Sequence, residues 1–277
     1  MFLNWMFRSP RVTPLRFPER QPPMIVVVRS SNYGGNEPNP EVEGSLPNIA
    51  GATPLSLRLT DVVLGGYAWW ADHEAPAFLL LHGWGEDASA WKDVAEQIRS
   101  RSWSAISVSL RGWRGSSGTD DYGLSAAKDI GQVLSWIRQN RKVSSVVLLG
   151  FSMGGLMACL AAADQDELGG VVIVNSPSDL PSFYQGTSYE GVRRYLAATL
   201  QPSQWHESSP ISHVQRLVHP MLIVAGSRDV MTPPSQSRRM AKIVPTANLL
   251  ELPDMKHAPS WEEWDTILTE IGAYFRF

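Results

Sequence analysis

One stretch limits the folds open to this chain more than any other: Leu148-Leu149-Gly150-Phe151-Ser152-Met153-Gly154-Gly155. An apolar run from Val146 to Leu149 enters it, and an apolar helical run from Leu156 to Ala163 leaves it. A buried strand must therefore pass into a buried helix through Gly150, Ser152 and Gly154 at alternate positions. A serine at the tip of so sharp a turn takes an unfavourable φ/ψ, and its neighbours must be nearly free of side chain. Its hydroxyl then stands clear near a helix N-terminus, whose partial positive charge suits a developing anion. On this reading Ser152 is a nucleophile; the plainer reading is a glycine-rich turn with a solvated serine.

The flanking pattern repeats along the chain. Leu55 to Leu59 alternates apolar and polar as a half-buried strand does, and Gly65 to Trp70 reads as its hairpin partner. Ala77–Leu81, Ser104–Leu110, Ser145–Leu149, Gly170–Val174, Met221–Ala225 and Ala247–Leu252 read as further strands, several continuously apolar and so covered on both faces. Helical faces fall between them: Trp91, Val94, Ala95 and Ile98; then Ala126, Ile130, Val133, Leu134 and Ile137, with Ser125 as the cap. A last helix opens at Ser260 and turns Trp264, Ile267, Leu268 and Ile271 inward. Strands alternating with amphipathic helices predict an α/β fold, a mostly parallel central sheet with helices on both faces and the hairpin at one edge.

Two segments break the alternation. Residues 1–53 are rich in Pro, Asn, Gly and Ser, with one strand-like run at Met24–Val28, and read as a poorly ordered N-terminal arm. Residues 54–277 form the expected catalytic domain. Within it, residues 176–217 are too long for a plain connection and carry a helical run with Tyr189, Val192, Tyr195, Leu196 and Leu200. They read as a small cap insertion over a pocket; a surface helix with anchoring aromatics is the simpler alternative.

Composition removes other classes. A formal net charge of −3 argues against a nucleic-acid binder. No apolar run approaches the roughly 18 residues that span a membrane. Arg8, Arg11 and Arg16 give the start of the chain a faint transit-peptide character, but Pro10, Pro14 and Pro18 interrupt any helix there, and Met24 is an alternative start. The expected location is cytoplasmic. The one cysteine, Cys159, lies in the apolar helix after Ser152 and reads as a core residue.

A serine nucleophile needs a base, an acid that orients the base, and donors for the oxyanion. Ligands of open α/β sheets sit beyond the carboxyl ends of the strands, so the partners belong in loops that follow strands. Asp229, in Gly226-Ser227-Arg228-Asp229, and His257, in Asp254-Met255-Lys256-His257, meet that condition in the order Ser, Asp, His. Asp179, after Gly170–Val174, is the competing acid, and Asp254 reads as a solvent-facing turn residue. Of the other histidines, His82 reads as structural, His73 lies in a connection, and His206, His213 and His219 lie in or beside the cap. No cluster has metal-ligand spacing, so no metal and no cofactor are expected. The backbone N–H groups of Met153 and of Trp84, in the loop after Ala77–Leu81, are the expected oxyanion donors. Trp113, Phe183, Tyr184 and Trp205 are the expected substrate-binding side chains.

At this point the chain resembles the α/β-hydrolase superfamily. The residues that carry the resemblance are His82-Gly83-Trp84-Gly85, Arg111-Gly112-Trp113-Arg114-Gly115-Ser116, Gly150-Phe151-Ser152-Met153-Gly154-Gly155, Gly226-Ser227-Arg228-Asp229 and His257, over roughly residue 55 to the end. Within the superfamily, Ser208-Ser209-Pro210-Ile211-Ser212-His213-Val214 followed by Pro220-Met221-Leu222-Ile223-Val224 is similar to prolyl-oligopeptidase-like and dienelactone-hydrolase-like domains. The larger peptidases of that type carry a β-propeller where this chain has its arm, and true dienelactone hydrolases use a cysteine. The short His-Gly-x turn is similar to that of carboxylesterases and lipases. The resemblance implies a serine esterase acting on a small-molecule ester. A small serine peptidase or amidase, and a ligand receptor on a hydrolase scaffold, are the alternatives.

Overall fold

The computed structural model describes residues 44–277. The strand-like run Met24–Val28 and the arginines at the start of the chain lie outside the described residues. Eight strands form one sheet: β1 (Thr53–Arg58), β2 (Val63–Trp69), β3 (Ala75–Leu81), β4 (Ser104–Val108), β5 (Val143–Phe151), β6 (Gly170–Val174), β7 (Met221–Gly226) and β8 (Ala247–Leu252). Their order across the sheet is β1-β2-β4-β3-β5-β6-β7-β8. β1 pairs antiparallel with β2, and β2 with β4, while every pairing from β4 to β8 is parallel. This is the α/β-hydrolase fold, with the expected hairpin at one edge.

The pleat explains the two cores. In β3, Leu79 and Leu81 face one layer while Phe78 and Leu80 face the other, all fully buried. The first layer is closed by α2 (Ala126–Asn140), α3 (Met153–Ala162) and α7 (Ser235–Ile243), through Ile130, Leu134, Leu156, Cys159 and Met240. The second is closed by α1 (Lys92–Ser100) and α8 (Trp261–Phe275), through Val94, Ile98, Trp264, Ile267 and Ile271. Ser260 caps α8 as expected: its hydroxyl accepts from the Glu263 amide, and the Glu263 carboxylate accepts from the Ser260 amide. Ser125 differs. It precedes α2 in helical conformation and makes no side-chain cap bond. Asp121 Oδ1 instead accepts from the Ser125 amide at 3.2 Å.

Packing also begins ahead of β1. Ile49 is buried, the Leu46 side chain lies against Gly115, and the Tyr67 hydroxyl donates to the Pro47 carbonyl. Residues 46–49 therefore belong physically to the domain.

Between β6 and β7 lie α4 (Leu180–Gly186), α5 (Glu190–Thr199) and α6 (Gln204–Glu207), followed by a 3₁₀ stretch, Pro210–Arg216. Several contacts fasten this insertion, three of them beside the crevice-side loops. Tyr195 Oη donates to Asp120, Gln204 Nε2 donates to the Asp121 carbonyl at 2.8 Å, and Ser188 donates its amide and hydroxyl to the Val230 carbonyl at 3.1 and 2.8 Å.

The sheet order reverses at β3. The chain leaves β3 for β4 on one side and returns to β5 on the other, so the carboxyl ends of β3 and β5 open a crevice. That crevice is where His82-Gly83-Trp84 and Ser152 lie.

Candidate active site

Ser152 sits between β5 and α3 at φ 52°, ψ −118°, a strained conformation for a residue with a Cβ. Its glycines are required by contact. A Cβ on Gly150 would stand 2.2 Å from the Gly154 carbonyl oxygen, and one on Gly154 would stand 1.9 Å from that of Leu81. The close approach of Gly154 to the end of β3 also brings the Met153 and Trp84 segments to the same crevice. Neither the Met153 nor the Trp84 amide has a hydrogen-bond acceptor among the described residues. Such unpaired donors suit an external anion.

His257 Nε2 is 3.0 Å from Ser152 Oγ, and His257 Nδ1 is 2.8 Å from Asp229 Oδ2. Asp229 has a fully buried side chain. Its Oδ1 accepts from the Met231 and Thr232 amides, both at 2.8 Å. The loop after β7 therefore holds the carboxylate so that one oxygen serves the backbone and the other the imidazole. The structure thus brings together the three residues that the motifs single out. The competitors lie elsewhere: Asp179 pairs with Arg239 at 2.5 Å and Asp254 with Arg228 at 2.6 Å.

The remaining histidines fall away from this relay. His82 is fully buried; it donates through Nδ1 to the Gly83 carbonyl at 2.8 Å and accepts through Nε2 from the Leu110 amide at 3.0 Å. Those bonds fix a neutral tautomer, and burial pushes its pKa down to about 4. His206 meets Ser212, His213 meets the Glu207 carbonyl, and His219 meets the Gln165 carbonyl. His73 is exposed. Among the described residues no group of His, Cys, Asp and Glu could hold a metal ion. Burial pushes the Cys159 thiol up to about 12, which leaves it an inert core side chain.

The aromatic residues distribute unevenly. Trp84 packs against Tyr189 and Tyr195 of the cap, with ring centroids 6.1 and 5.4 Å apart. Trp113 packs edge-on against His82, and Tyr184 against Trp205; Phe183 is buried in the core. Tyr189 and Tyr195, read from the sequence only as a helical face, are thus the cap side chains that meet Trp84. On the other flank a cleft of about 690 Å³ is lined by His257, Arg228, Val230, Met231, Lys256 and Ala258.

Asn175 has no place in the sequence reading, and its role is evident in the structure. At φ 48°, just after β6, its Nδ2 donates to the carbonyls of Lys256 and His257 at 2.9 and 2.6 Å, while its Oδ1 accepts from the Gly226 amide at 2.7 Å. One buried amide thereby fastens the His257 loop to the ends of β6 and β7. Its sequence signal was a polar residue directly after a buried strand, which many turns share.

The fold is that of the α/β hydrolases, and comparison finds similar proteins. A model of the alpha/beta hydrolase family matches residues 78–206. Over those residues the chain is similar to the α/β-hydrolase family. It is 28% identical over 136 residues to a pimeloyl-[acyl-carrier protein] methyl ester esterase of Cronobacter sakazakii, a match spanning 48% of this chain and 48% of that protein. A puromycin-hydrolyzing peptidase of Mycobacterium tuberculosis superposes with a TM-score of 0.70 at 21% identity, covering 83% of this chain and 40% of that one. An esterase of Pyrococcus furiosus superposes with a TM-score of 0.67 at 18% identity, covering 85% and 99%. This chain thus spans about half of the curated relative and less than half of the peptidase. No helix among the described residues is long and apolar enough to cross a membrane.

Proposed function

We propose that the protein is a serine hydrolase that cleaves carboxylic esters of small molecules through an acyl-enzyme on Ser152. The observation that carries the reading is the relay Ser152–His257–Asp229, with contacts of 3.0 and 2.8 Å on a serine held in a strained turn. His257 Nε2 takes the Ser152 proton as Oγ attacks the acyl carbon. Asp229 keeps the proton of His257 on Nδ1 and stabilises the imidazolium. The tetrahedral oxyanion is received by the Met153 and Trp84 amides. His257 then returns the proton to the leaving alcohol, the alcohol departs, and water, activated by the same imidazole, releases the acid. No cofactor enters these steps.

The surroundings favour an ester over a peptide. A peptidase needs a charge to grip a chain terminus, and the arginines of the Arg111–Ser116 loop are already engaged. Arg111 makes a two-point pair with Asp129 at 2.8 Å, and Arg114 donates to the Ser45 carbonyl at 3.1 Å. Trp84, Tyr189 and Tyr195 present apolar and aromatic surface instead, worth about 0.8 kcal/mol for each acyl CH₂ buried. The resemblance to a methyl ester esterase points the same way.

The test compares p-nitrophenyl esters of graded chain length with aminoacyl p-nitroanilides on one preparation. kcat/KM is expected to climb along the short esters until the pocket is full. Ser152→Ala should lower kcat by about 10⁴ to 10⁶. An anilide cleaved as well as the best ester would replace the esterase reading with the amidase one. Binding without turnover would replace it with the receptor.

A further inference from the structure

Beside the relay stands a carboxylate that the reaction above does not use. Glu86 lies in the loop after β3, between Gly85 at φ 83° and Asp87, which caps the next 3₁₀ turn. Its side chain folds back so that Oε2 accepts from the Gly83 amide at 2.8 Å, and its own amide donates to the Gly83 carbonyl at 3.3 Å. Trp84, the expected oxyanion donor, is enclosed by this two-point closure. The space is full: a Cβ on Gly83 would stand 3.0 Å from Glu86 Oε2 and 3.1 Å from the Phe151 ring. The Phe151 ring in turn packs on the His257 imidazole, with centroids 5.1 Å apart. Glu86 and Phe151 therefore meet at Gly83, and Phe151 carries that contact on to the His257 ring beside Ser152.

We infer that Glu86 is a positioning residue of this site, holding the turn that aims the Trp84 amide and supporting the positive charge that His257 gains as the serine is deprotonated. The inference rests on the relay proposed above. Burial pushes the Glu86 carboxyl above its ordinary range, opposed by the Gly83 amide and the charge of His257. The other charges facing His257 are differently placed. Asp229 is committed to Nδ1 and to two amides, Arg228 and Asp254 are exposed and paired with each other, and Lys256 is exposed. Asp87, next to Glu86, accepts from the Ser89 amide and lies 3.6 Å from Arg114. Glu86 is thus a half-buried carboxylate with neither a cationic side-chain partner nor a direct bond to the relay, and its field is less screened than those of the exposed Arg228, Asp254 and Lys256.

Substitution separates the two contributions. Glu86→Gln keeps an oxygen for the Gly83 amide and removes the charge. Without that charge the imidazolium is harder to form, so the acid limb of kcat/KM should move to lower pH. Plateau kcat should fall several-fold with KM nearly unchanged. Glu86→Ala also removes the acceptor and should cost about a further tenfold in kcat, as expected for a misaimed oxyanion donor. Glu86→Asp restores the charge and should return the acid limb to its wild-type position even where kcat stays low. The experiment is a pH–rate profile of the full chain on one p-nitrophenyl ester, with melting temperatures of all variants and Ser152→Ala alongside. If Glu86→Ala does not fold, the Gln and Asp profiles still decide. An acid limb that stays in place in Glu86→Gln, while Ser152→Ala is inactive, overturns the role of Glu86 and leaves the relay standing. Wild-type turnover by Ser152→Ala removes the relay and this inference with it.

Discussion

His82 is a buried switch whose effect on stability can be worked out from its bonds. Nε2 accepts from the Leu110 amide and Nδ1 donates to the Gly83 carbonyl, so a second proton has no acceptor and would face an N–H. The imidazole is fully buried and its pKa falls from 6.5 to about 4, chiefly through burial. Between those values the unfolded chain binds a proton that the native chain refuses. Stability from this residue is therefore complete above about pH 6.5 and is lost as the pH falls towards 4. A gap of that size, at about 1.4 kcal/mol per pH unit, amounts to about 3 kcal/mol in full and about 2 kcal/mol between pH 7 and pH 5. Three partly or fully buried carboxyls act in the opposite sense. Glu86, Asp120 and Asp129 are pushed up chiefly by burial and gain stability on protonation, but a difference between two chains that both contain them cancels their effect. The assay is urea unfolding of wild type and His82→Gln at pH 7, 6 and 5; the glutamine oxygen can still accept from Leu110. The advantage of wild type should shrink by about 2 kcal/mol across that range. Parallel stability curves would refute the argument and show that His82 titrates as it does in the unfolded chain.

Asn175→Ala removes the three hydrogen bonds of a buried side chain and leaves φ 48° without the polar side chain that supports it. It should cost about 3 kcal/mol of stability by urea unfolding and lower kcat by at least about a hundredfold, because the His257 loop loses its tie. An unchanged kcat would show that the loop holds itself. Ile49→Ala in the full chain should cost about 2 kcal/mol, since Ile49 is buried against the core; a loss under about 0.5 kcal/mol would return residues 46–49 to the arm.

Most of the sheet was legible because both signals a strand can send were present. β3, β5, β6 and β7 are buried on both faces and read as unbroken apolar runs, while β1 at the edge keeps its alternation. The structure lengthens β5 back to Val143, where burial falls off and the apolar signal ends before the backbone pairing does. α7 was harder to see. Ser-Gln-Ser-Arg-Arg-Met-Ala-Lys-Ile buries Met240 among its long apolar side chains, and its other buried positions are Gln236 and Ser237. Gln236 is inward because its oxygen accepts from the Ser178 and Asp179 amides, a contact that hydrophobic periodicity cannot register.

The site divides along the same line. Ser152, Asp229 and His257 could be read because each lies at a place that topology prescribes, the carboxyl end of a strand, and because glycines are obligatory where strand and helix nearly touch. What fastens the relay could not be read so. Asn175 reaches across 81 and 82 residues to carbonyl oxygens, and a carbonyl oxygen carries no sequence identity at all. Glu86 bonds to an amide three residues away, and nothing in His82-Gly83-Trp84-Gly85-Glu86 distinguishes a carboxylate turned inward from one in water. The aromatic residues of the cap divide for a related reason. Phe183, Tyr184 and Trp205 stood out as aromatic, but size brought Phe183 into the core and paired Tyr184 with Trp205. Tyr189 and Tyr195 reach Trp84 because α5 is tied at Asp120, and that tie is set by how the insertion lies on the sheet rather than by the helix's own pattern. Residues whose partner is a side chain of fixed type were visible in the sequence, whereas residues whose partner is backbone became visible once the chain was folded.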